Sequence, residues 1–533
     1  MKIQKHYYCA IVFLNVFTGI SVSGSNILFF HAVSTASHRT AIWPLAEKLA
    51  DSGHNVTYIF PIERRMGSHP KIEELTPSKM VPLIADFIVD FDINMRLNDK
   101  VDEWTREVFS RSLEFCEAFY DSPEIQEWLA RPGLHYDLVM LDVLSECAYG
   151  LVYKFKAKHI LFLPTSSTPF LFDGIGIVPE TSSIPDVSSL YKPSEMNFMA
   201  RVQNTIMTIL WRYGYLYFFK DVVPIIEEKL NITNFPAITE FEKNTSLVLV
   251  NHHFVEDYPR SFPPMVVPFS GISCKNSKNS KSGTDPLPTD ISSFIENSEG
   301  FIYVSFGSAV KASSMPVSLR DEFFEAFKSL PKLNFLWRWT EDIPSETPKN
   351  VKLLPWFPQK QILAHPKIKG FISQGGRPST QEALCYAVPL IIMPLFGDQD
   401  LNANRLESIG GAIHLAIKNM SSALLKESIE EIIQNPQCKN RMVELSNMFK
   451  DHPIDPLENA LYWVEYVLRY DTSLLKPLGI NQTWYQRRLL DVYAFISIVL
   501  LAVTGIGIFI TVFIARYALR LISTRMKKTV KKE

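Results

Sequence analysis

The sequence predicts an α/β protein built from two parallel-sheet domains in tandem, followed by one membrane-spanning helix. Three observations predict it. Buried-strand runs alternate with helical periodicity in two series, one from Asn26 and another from Phe301. Between the series, residues 270–290 turn to Ser, Lys, Asn, Gly and Pro, the composition of a linker. Near the C-terminus, residues 492–515 carry no charge. At about 1.5 Å per residue, a helix of that length crosses a hydrocarbon core of roughly 30 Å.

The elements follow in order. Lys2 and Lys5, an apolar run over 7–22 and the small residues Ser23, Gly24 and Ser25 make a secretory signal pattern over 1–24. A first domain is expected over 25–270. Its Phe- and Val-rich run at 26–33 reads as a strand buried on both faces. A loop over 34–39 leads to a helix over 40–51, where Ile42, Leu45, Ala46 and Leu49 keep helical spacing and Gly53 stands as the C′ stop. A strand at 55–60 completes a β-α-β unit, so a right-handed crossover and a parallel sheet are expected. A further buried strand over 136–141 ends at Asp142, while 100–130 and 195–230 read as aromatic-rich helices.

After a linker over 271–290, the second domain (291–450) is expected to carry strands at 301–306, 334–339, 370–373 and 390–395, with a helix near 319–330. Helices over 451–491 are expected to pack back on the first half, before the span at 492–515 and a tail at 516–533. That tail holds Arg516, Arg520, Arg525, Lys527, Lys528, Lys531 and Lys532. The positive-inside rule places it in the cytoplasm, which makes the chain a single-pass type I membrane protein with its bulk luminal or extracellular. Lys531 stands near the end as in dilysine retrieval signals, although Val530 breaks the usual pair; the endoplasmic reticulum membrane is the expected location.

Net charge is −2 with 21% charged residues, which leaves no electrostatic footprint for nucleic acid. Asn55, Asn231, Asn244, Asn419 and Asn481 head Asn-X-Ser/Thr triplets, acceptors for glycans in a lumen; Asn55 abuts a strand and is expected to be buried. Apart from Cys9 in the signal, Cys116, Cys147, Cys274, Cys385 and Cys438 are too scattered for a disulfide framework or a metal cluster. They allow one bridge without specifying it.

The chemistry concentrates between residues 356 and 399. Trp356 offers a flat face for stacking a base, and Gln359 can bond a ribose or base edge in either sense. Gln374, Gly375 and Gly376 end a strand and open a helix, where backbone N–H groups and the helix dipole favour an anion. Arg377 and Pro378 follow, and Glu382 lies about two turns in. Ser308 follows a buried strand and Gly307; Arg338 could face a nucleotide or form a surface ion pair. Asp398 and Gln399 set an acceptor beside a mixed donor-acceptor, as vicinal hydroxyls require, and Asp398 also suits a helix N-cap. In the first half, His38 follows the first strand and Asp142 ends another, both at the crevice edge of an open sheet. A carboxylate behind an imidazole fixes its tautomer and stabilises its charged form.

The order and spacing of Trp-Phe-Pro-Gln at 356–359, Gly375-Gly376, Glu382 and Asp398-Gln399 resemble the signature of the UDP-glycosyltransferase family, which includes the UDP-glucuronosyltransferases. The resemblance implies a GT-B fold, two Rossmann-like domains facing across a cleft. It implies that Trp356 and Gln359 hold uridine, that Glu382 takes the ribose, that Ser308 and the Gly375–Gly376 turn take the diphosphate, and that Asp398 and Gln399 take the sugar. His38 becomes the base and Asp142 its partner in an inverting transfer to a small lipophilic acceptor such as a steroid, phenol or xenobiotic. UDP-glucose and UDP-glucuronate both remain open as donors, with no metal and no further cofactor expected, and homo- or hetero-oligomers stay open. Two positions depart from the pattern. Gln374 replaces a histidine that contacts the diphosphate, and Arg377-Pro378 replaces a small or polar pair; Arg377 could restore the missing charge. The alternatives are a weakened member that binds lipophiles or nucleotides without chemistry, and a membrane lipid glycosyltransferase.

Overall fold

The computed structural model describes residues 24–530 apart from 32–34, 63–67, 90–92, 101–106, 108–109, 144, 166–167, 188–190 and 275–285. The segment read as a signal and residues 531–533 lie outside it.

The first half contains a 7-stranded sheet of β1 (Asn26–Phe30), β2 (Asn55–Ile59), β3 (Ile72–Leu75), β4 (Leu138–Asp142), β5 (Lys158–Leu163), β6 (Leu247–Val250) and β7 (Val266–Pro268). Its order is β3-β2-β1-β4-β5-β6-β7. The second contains a 6-stranded sheet of β8 (Gly300–Ser305), β9 (Leu333–Arg338), β10 (Val351–Leu354), β11 (Ile368–Ser373), β12 (Leu390–Ile392) and β13 (Ala412–His414), in the order β10-β9-β8-β11-β12-β13. Every pairing is parallel. Central strands such as β4, β6 and β8 are buried throughout, as strands covered by helices on both faces must be. Each half is doubly wound. The chain moves outward from β1 or β8, then returns to the other side, leaving a switch point between β1 and β4 and another between β8 and β11. Ligands enter open α/β sheets at such points.

The helix expected over 40–51 begins earlier, at Ala36, with Thr35 extended at the N-cap. Its first turn carries no apolar periodicity because the residue it buries against the sheet is Arg39, paired with Glu74 of β3 and set over the Tyr58 and Phe60 rings, so the pattern surfaces only at Ile42. Gly53 takes φ +97 after the helix, as a C′ glycine does. Asn55 is exposed, with its amide donating to Asn26 Oδ1 at 2.9 Å; as the first residue of β2 it points away from the core, contrary to expectation. Among the described residues two disulfides are present rather than one, Cys116–Cys147 and Cys274–Cys385, and Cys438 is free. Sequence distance hid the second, whose partners lie 111 residues apart.

The Pro456–Arg469 helix packs against the Ala36–Asp51 helix. Its Leu457, Ala460, Val464 and Val467 join Ile27, Leu45 and Leu138 in one buried cluster. The C-terminal helix runs Leu490–Val530; its Leu490–Arg525 stretch is long and apolar enough to cross a membrane, and none of its most apolar window is buried in the molecule.

Candidate active site

Topology alone brings His31, His38 and Asp142 together. β1 and β4 are neighbours, with Phe30 abreast of Leu141. The next residues on each strand, His31 and Asp142, therefore meet at the carboxyl edge. Thr35 then starts the helix, and His38 comes round in its first turn. Asp142 Oδ2 accepts from His38 Nδ1 at 2.8 Å and from His31 Nδ1 at 2.9 Å, while Asp142 Oδ1 accepts from the Val143 N–H at 2.8 Å. Tyr58 donates its hydroxyl to His31 Nε2 at 2.8 Å. An ionised carboxylate only accepts, so both Nδ1 atoms carry the proton and His38 Nε2 is left as a lone pair. The His38 side chain is 17% exposed and that of Asp142 fully buried, the arrangement of a reactive imidazole backed by a dry carboxylate.

Burial alone would raise Asp142, but the charge of His38 and the bonds from both imidazoles override it and hold the carboxyl well below its usual range. Burial works against the charged form of His38 too. The Asp142 charge and hydrogen bond, helped by the charge of Asp398 from the second domain, win and raise it. His31 is lowered, because burial outweighs the same carboxylate. His31 went unrecognised from sequence, where it read as one more residue of a strand over 26–33. A polar residue inside a Phe-rich run was the available signal.

The second switch point carries the other cluster. Gly307 (φ +81) follows β8 and leads to an exposed Ser308. Gln374 follows β11 and lies so close that a Cβ on Gly307 would collide with its amide nitrogen. Gly375 has φ +88, and a Cβ there would lie 2.5 Å from Ile392 Cγ2, so two constraints demand glycine. Gly376 is the N-cap of the Arg377–Cys385 helix and has no side-chain cap. The first N–H groups of a helix lack intrahelical partners, and Pro378 removes one of them at a position where proline fits. Past Pro378, the Ser379 and Thr380 N–H groups return to the Gly376 carbonyl at 3.0 and 3.1 Å.

Gln359 opens the Gln359–Leu363 helix and donates to Glu382 Oε2 at 2.8 Å and to Ser379 Oγ at 3.4 Å. Glu382 is raised by burial, partly offset by the charge of Lys360 and by the Gln359 bond. Trp356 is 63% exposed, a plate open to the cleft. The Arg338 guanidinium stands 5.7 Å from its ring centroid and donates to the carbonyls of Pro355 (3.2 Å) and Gly307. Arg338 thus ties the Trp356 segment to the Gly307 turn, a role neither sequence reading included.

Asp398 is the N-cap residue of the Gln399–Ser408 helix. Asn402 donates to Asp398 Oδ2 at 3.1 Å and to the Gly375 carbonyl at 2.9 Å, which makes it a missed bridge between the two expected subsites. Gln399 Oε1 accepts from the N–H groups of Leu395 (2.8 Å) and Phe396 (3.1 Å). Its oxygen is committed to its own turn.

Arg377 turns toward the first half, and its charge still reaches Asp398. Its side chain is 1% exposed; it donates to the Glu256 carbonyl at 2.8 Å and to Asp257 Oδ2 at 3.2 Å. Both acids follow β6 in the first half, and a buried carboxylate draws the nearest cation because leaving it unpaired is costly. One turn on, Gln381 donates to Glu256 Oε1 and to Asn251 Oδ1, both at 2.6 Å. Cys385, at the far end of the same helix, bonds Cys274.

The family model for UDP-glucoronosyl and UDP-glucosyl transferase matches residues 79–529. UDP-glycosyltransferase UGT5 of Dactylopius coccus is 31% identical over 97% of this chain and 98% of its own length. UDP-glucuronosyltransferase 1A8 of Rattus norvegicus is 29% identical, covering 88% of each chain. Among solved structures, the glycotransferase of kitacinnamycin superposes with a TM-score of 0.55 at 18% identity, over 84% of this chain and 99% of that one. The calicheamicin glycosyltransferase CalG4 gives 0.51 at 15%, over 84% and 98%. These likenesses establish the GT-B fold, and the family model with the full-length relatives establishes that the chain belongs to the UDP-glycosyltransferase family.

Proposed function

We propose that the chain transfers glucose or glucuronic acid from its UDP-sugar to a small lipophilic acceptor, with inversion at the anomeric carbon. His38 Nε2 takes the proton of the acceptor hydroxyl as that oxygen bonds to the anomeric carbon. The bond from that carbon to the phosphate oxygen breaks, and its electron pair leaves with UDP. Asp142 keeps the proton on Nδ1 and stabilises the imidazolium. Trp356 stacks on uracil, Gln359 and Glu382 hold the ribose, Ser308, Gln374 and the Gly375–Gly376 turn receive the diphosphate, and Asp398 and the Gln399 amide read the sugar hydroxyls. The apolar C-terminal helix anchors the enzyme in the endoplasmic reticulum membrane with both domains luminal.

The observation that carries this reading is the meeting of the two switch points: the Ala36–Asp51 helix that carries His38 packs against the Arg377–Cys385 helix that Gly376 caps, and the charge of Asp398 helps raise His38. Membranes from cells expressing the chain, given UDP-glucose or UDP-glucuronate with phenols, steroids and extracted lipids, test it. A conjugate that disappears in His38→Ala supports transfer, and its acceptor separates a soluble from a bilayer substrate. UDP binding without any conjugate would instead support the binding-protein reading, which Gln374 in place of a chargeable histidine favours.

A further inference from the structure

Asp142 also lines a small cavity of about 20 Å³ at the carboxyl ends of β4 and β5. That is room for a group about the size of one water molecule, too little for a ring. Leu161, Leu163 and Leu171 supply apolar wall. The ionisable groups lining it are three carboxyls, Asp142, Glu146 and Glu242, with the phenols of Tyr149 and Tyr215; no Lys, Arg or His is among its described lining residues. Two of the carboxyls are already matched. Asp142 faces His38 and His31, and Arg212 holds both oxygens of Glu242 at 2.5 and 2.7 Å.

Glu146 is different. It is 4% exposed and its Oε2 has no hydrogen-bond partner among the described residues. Burial pushes its carboxyl up to about 7, against a bond from Tyr215. It sits in the Glu146–Ala148 turn, fixed by the Cys116–Cys147 disulfide and by the Tyr120 hydroxyl on the Cys147 carbonyl at 2.7 Å. A carboxylate held rigidly in a dry wall without a cation is costly. A ligand cation of one heavy atom relieves that cost.

The geometry points to this cavity as a subsite that takes the ammonium of a lipophilic amine, with Glu146 as its counterion. It rests on the proposed transfer, in which His38 of the first half takes the acceptor's proton and so seats the acceptor against that half, and it narrows that acceptor to one bearing a basic nitrogen besides the hydroxyl that receives the sugar. Carboxylate-bearing acceptors are disfavoured by the same three acids.

The test uses the full-length protein in detergent. Phenols with para aminoalkyl chains of graded length are compared with alkyl phenols of matched shape, by equilibrium binding and by transfer from both UDP-sugars. At least one amine should bind roughly tenfold or more tighter than its alkyl counterpart, since charge-assisted hydrogen bonds are about twice as strong as neutral ones. Glu146→Gln and Glu146→Leu should abolish that preference and leave binding of the alkyl phenols within about threefold, the single-site effect expected away from other contacts. A preference for the amine that persists in both variants, or no preference in the native chain, overturns the subsite and leaves the cavity to a water. Amine-selective binding without any conjugate would keep the subsite and overturn the transferase reading. Equal conjugation of amine and alkyl phenols without selective binding would do the reverse.

Discussion

Asp142 Oδ2 is shared by two imidazoles, and that sharing sets the pH response of His38. The base must be neutral to act, and its pKa is raised. The specificity constant kcat/KM should therefore fall as pH drops through that raised value. His38→Ala should cost about 10²- to 10⁴-fold in kcat, the usual range for a lost general base. Asp142→Asn removes the charge that raises His38, so the acid limb should move to lower pH while kcat falls. His31→Phe takes one donor from Asp142, leaves the carboxylate more basic toward His38, and should move the acid limb to higher pH. Steady-state pH profiles of the three variants check the signs, and an unmoved limb in His31→Phe would assign His31 to packing alone. The placement of several of these residues was legible beforehand: Asp142 ends a strand, His38 opens the helix after the neighbouring strand, Gln359 and Asp398 stand at helix starts, and Glu382 lies on the helix that Gly376 caps. The reach of long side chains was not legible. Arg377, Arg338 and the Gln399 oxygen found partners far away in sequence or on the backbone, and such partners leave no periodic trace.

At the scale of elements, the Arg377–Cys385 helix is held by the first half at Arg377 and Gln381 and by the start of the linker at Cys385. Arg377→Met would leave Glu256 and Asp257 facing a neutral side chain. Breaking a buried ion pair from one side costs about 3–5 kcal/mol, so the melting temperature should fall by several degrees, with UDP affinity falling less if the phosphate site is backbone-made. Gly375→Ala should act oppositely. Its φ of +88 and its approach to Ile392 displace the turn itself, so UDP affinity should fall more than stability; calorimetry with and without UDP separates the two effects. The strands show where sequence reading stops. The β1–helix–β2 unit announced itself by a long apolar run, helical spacing and a glycine stop. The strands β3, β5, β6, β7, β10 and β13 escaped. Several are only three or four residues long, and β3 and β10 mix charged with apolar residues, so pairing with a neighbour rather than local propensity makes them strands.

At the scale of the molecule, the disulfide between Cys274 and Cys385 closes a loop of 111 residues. Cys274→Ser should lower stability by about 2–4 kcal/mol, the usual worth of such a bridge, measured as the shift in thermal unfolding under oxidising conditions. The interior of the first half is also spread along nearly the whole chain. The helix that seals its sheet, Pro456–Arg469, is made only after the entire second half. During synthesis, Ile27, Leu45 and Leu138 therefore wait with an apolar face uncovered until Leu457, Ala460, Val464 and Val467 leave the ribosome. A nascent chain in that state is a natural client for chaperones. Premature termination between residues 270 and 456 yields a protein whose first domain, although all of its strands are translated, cannot close.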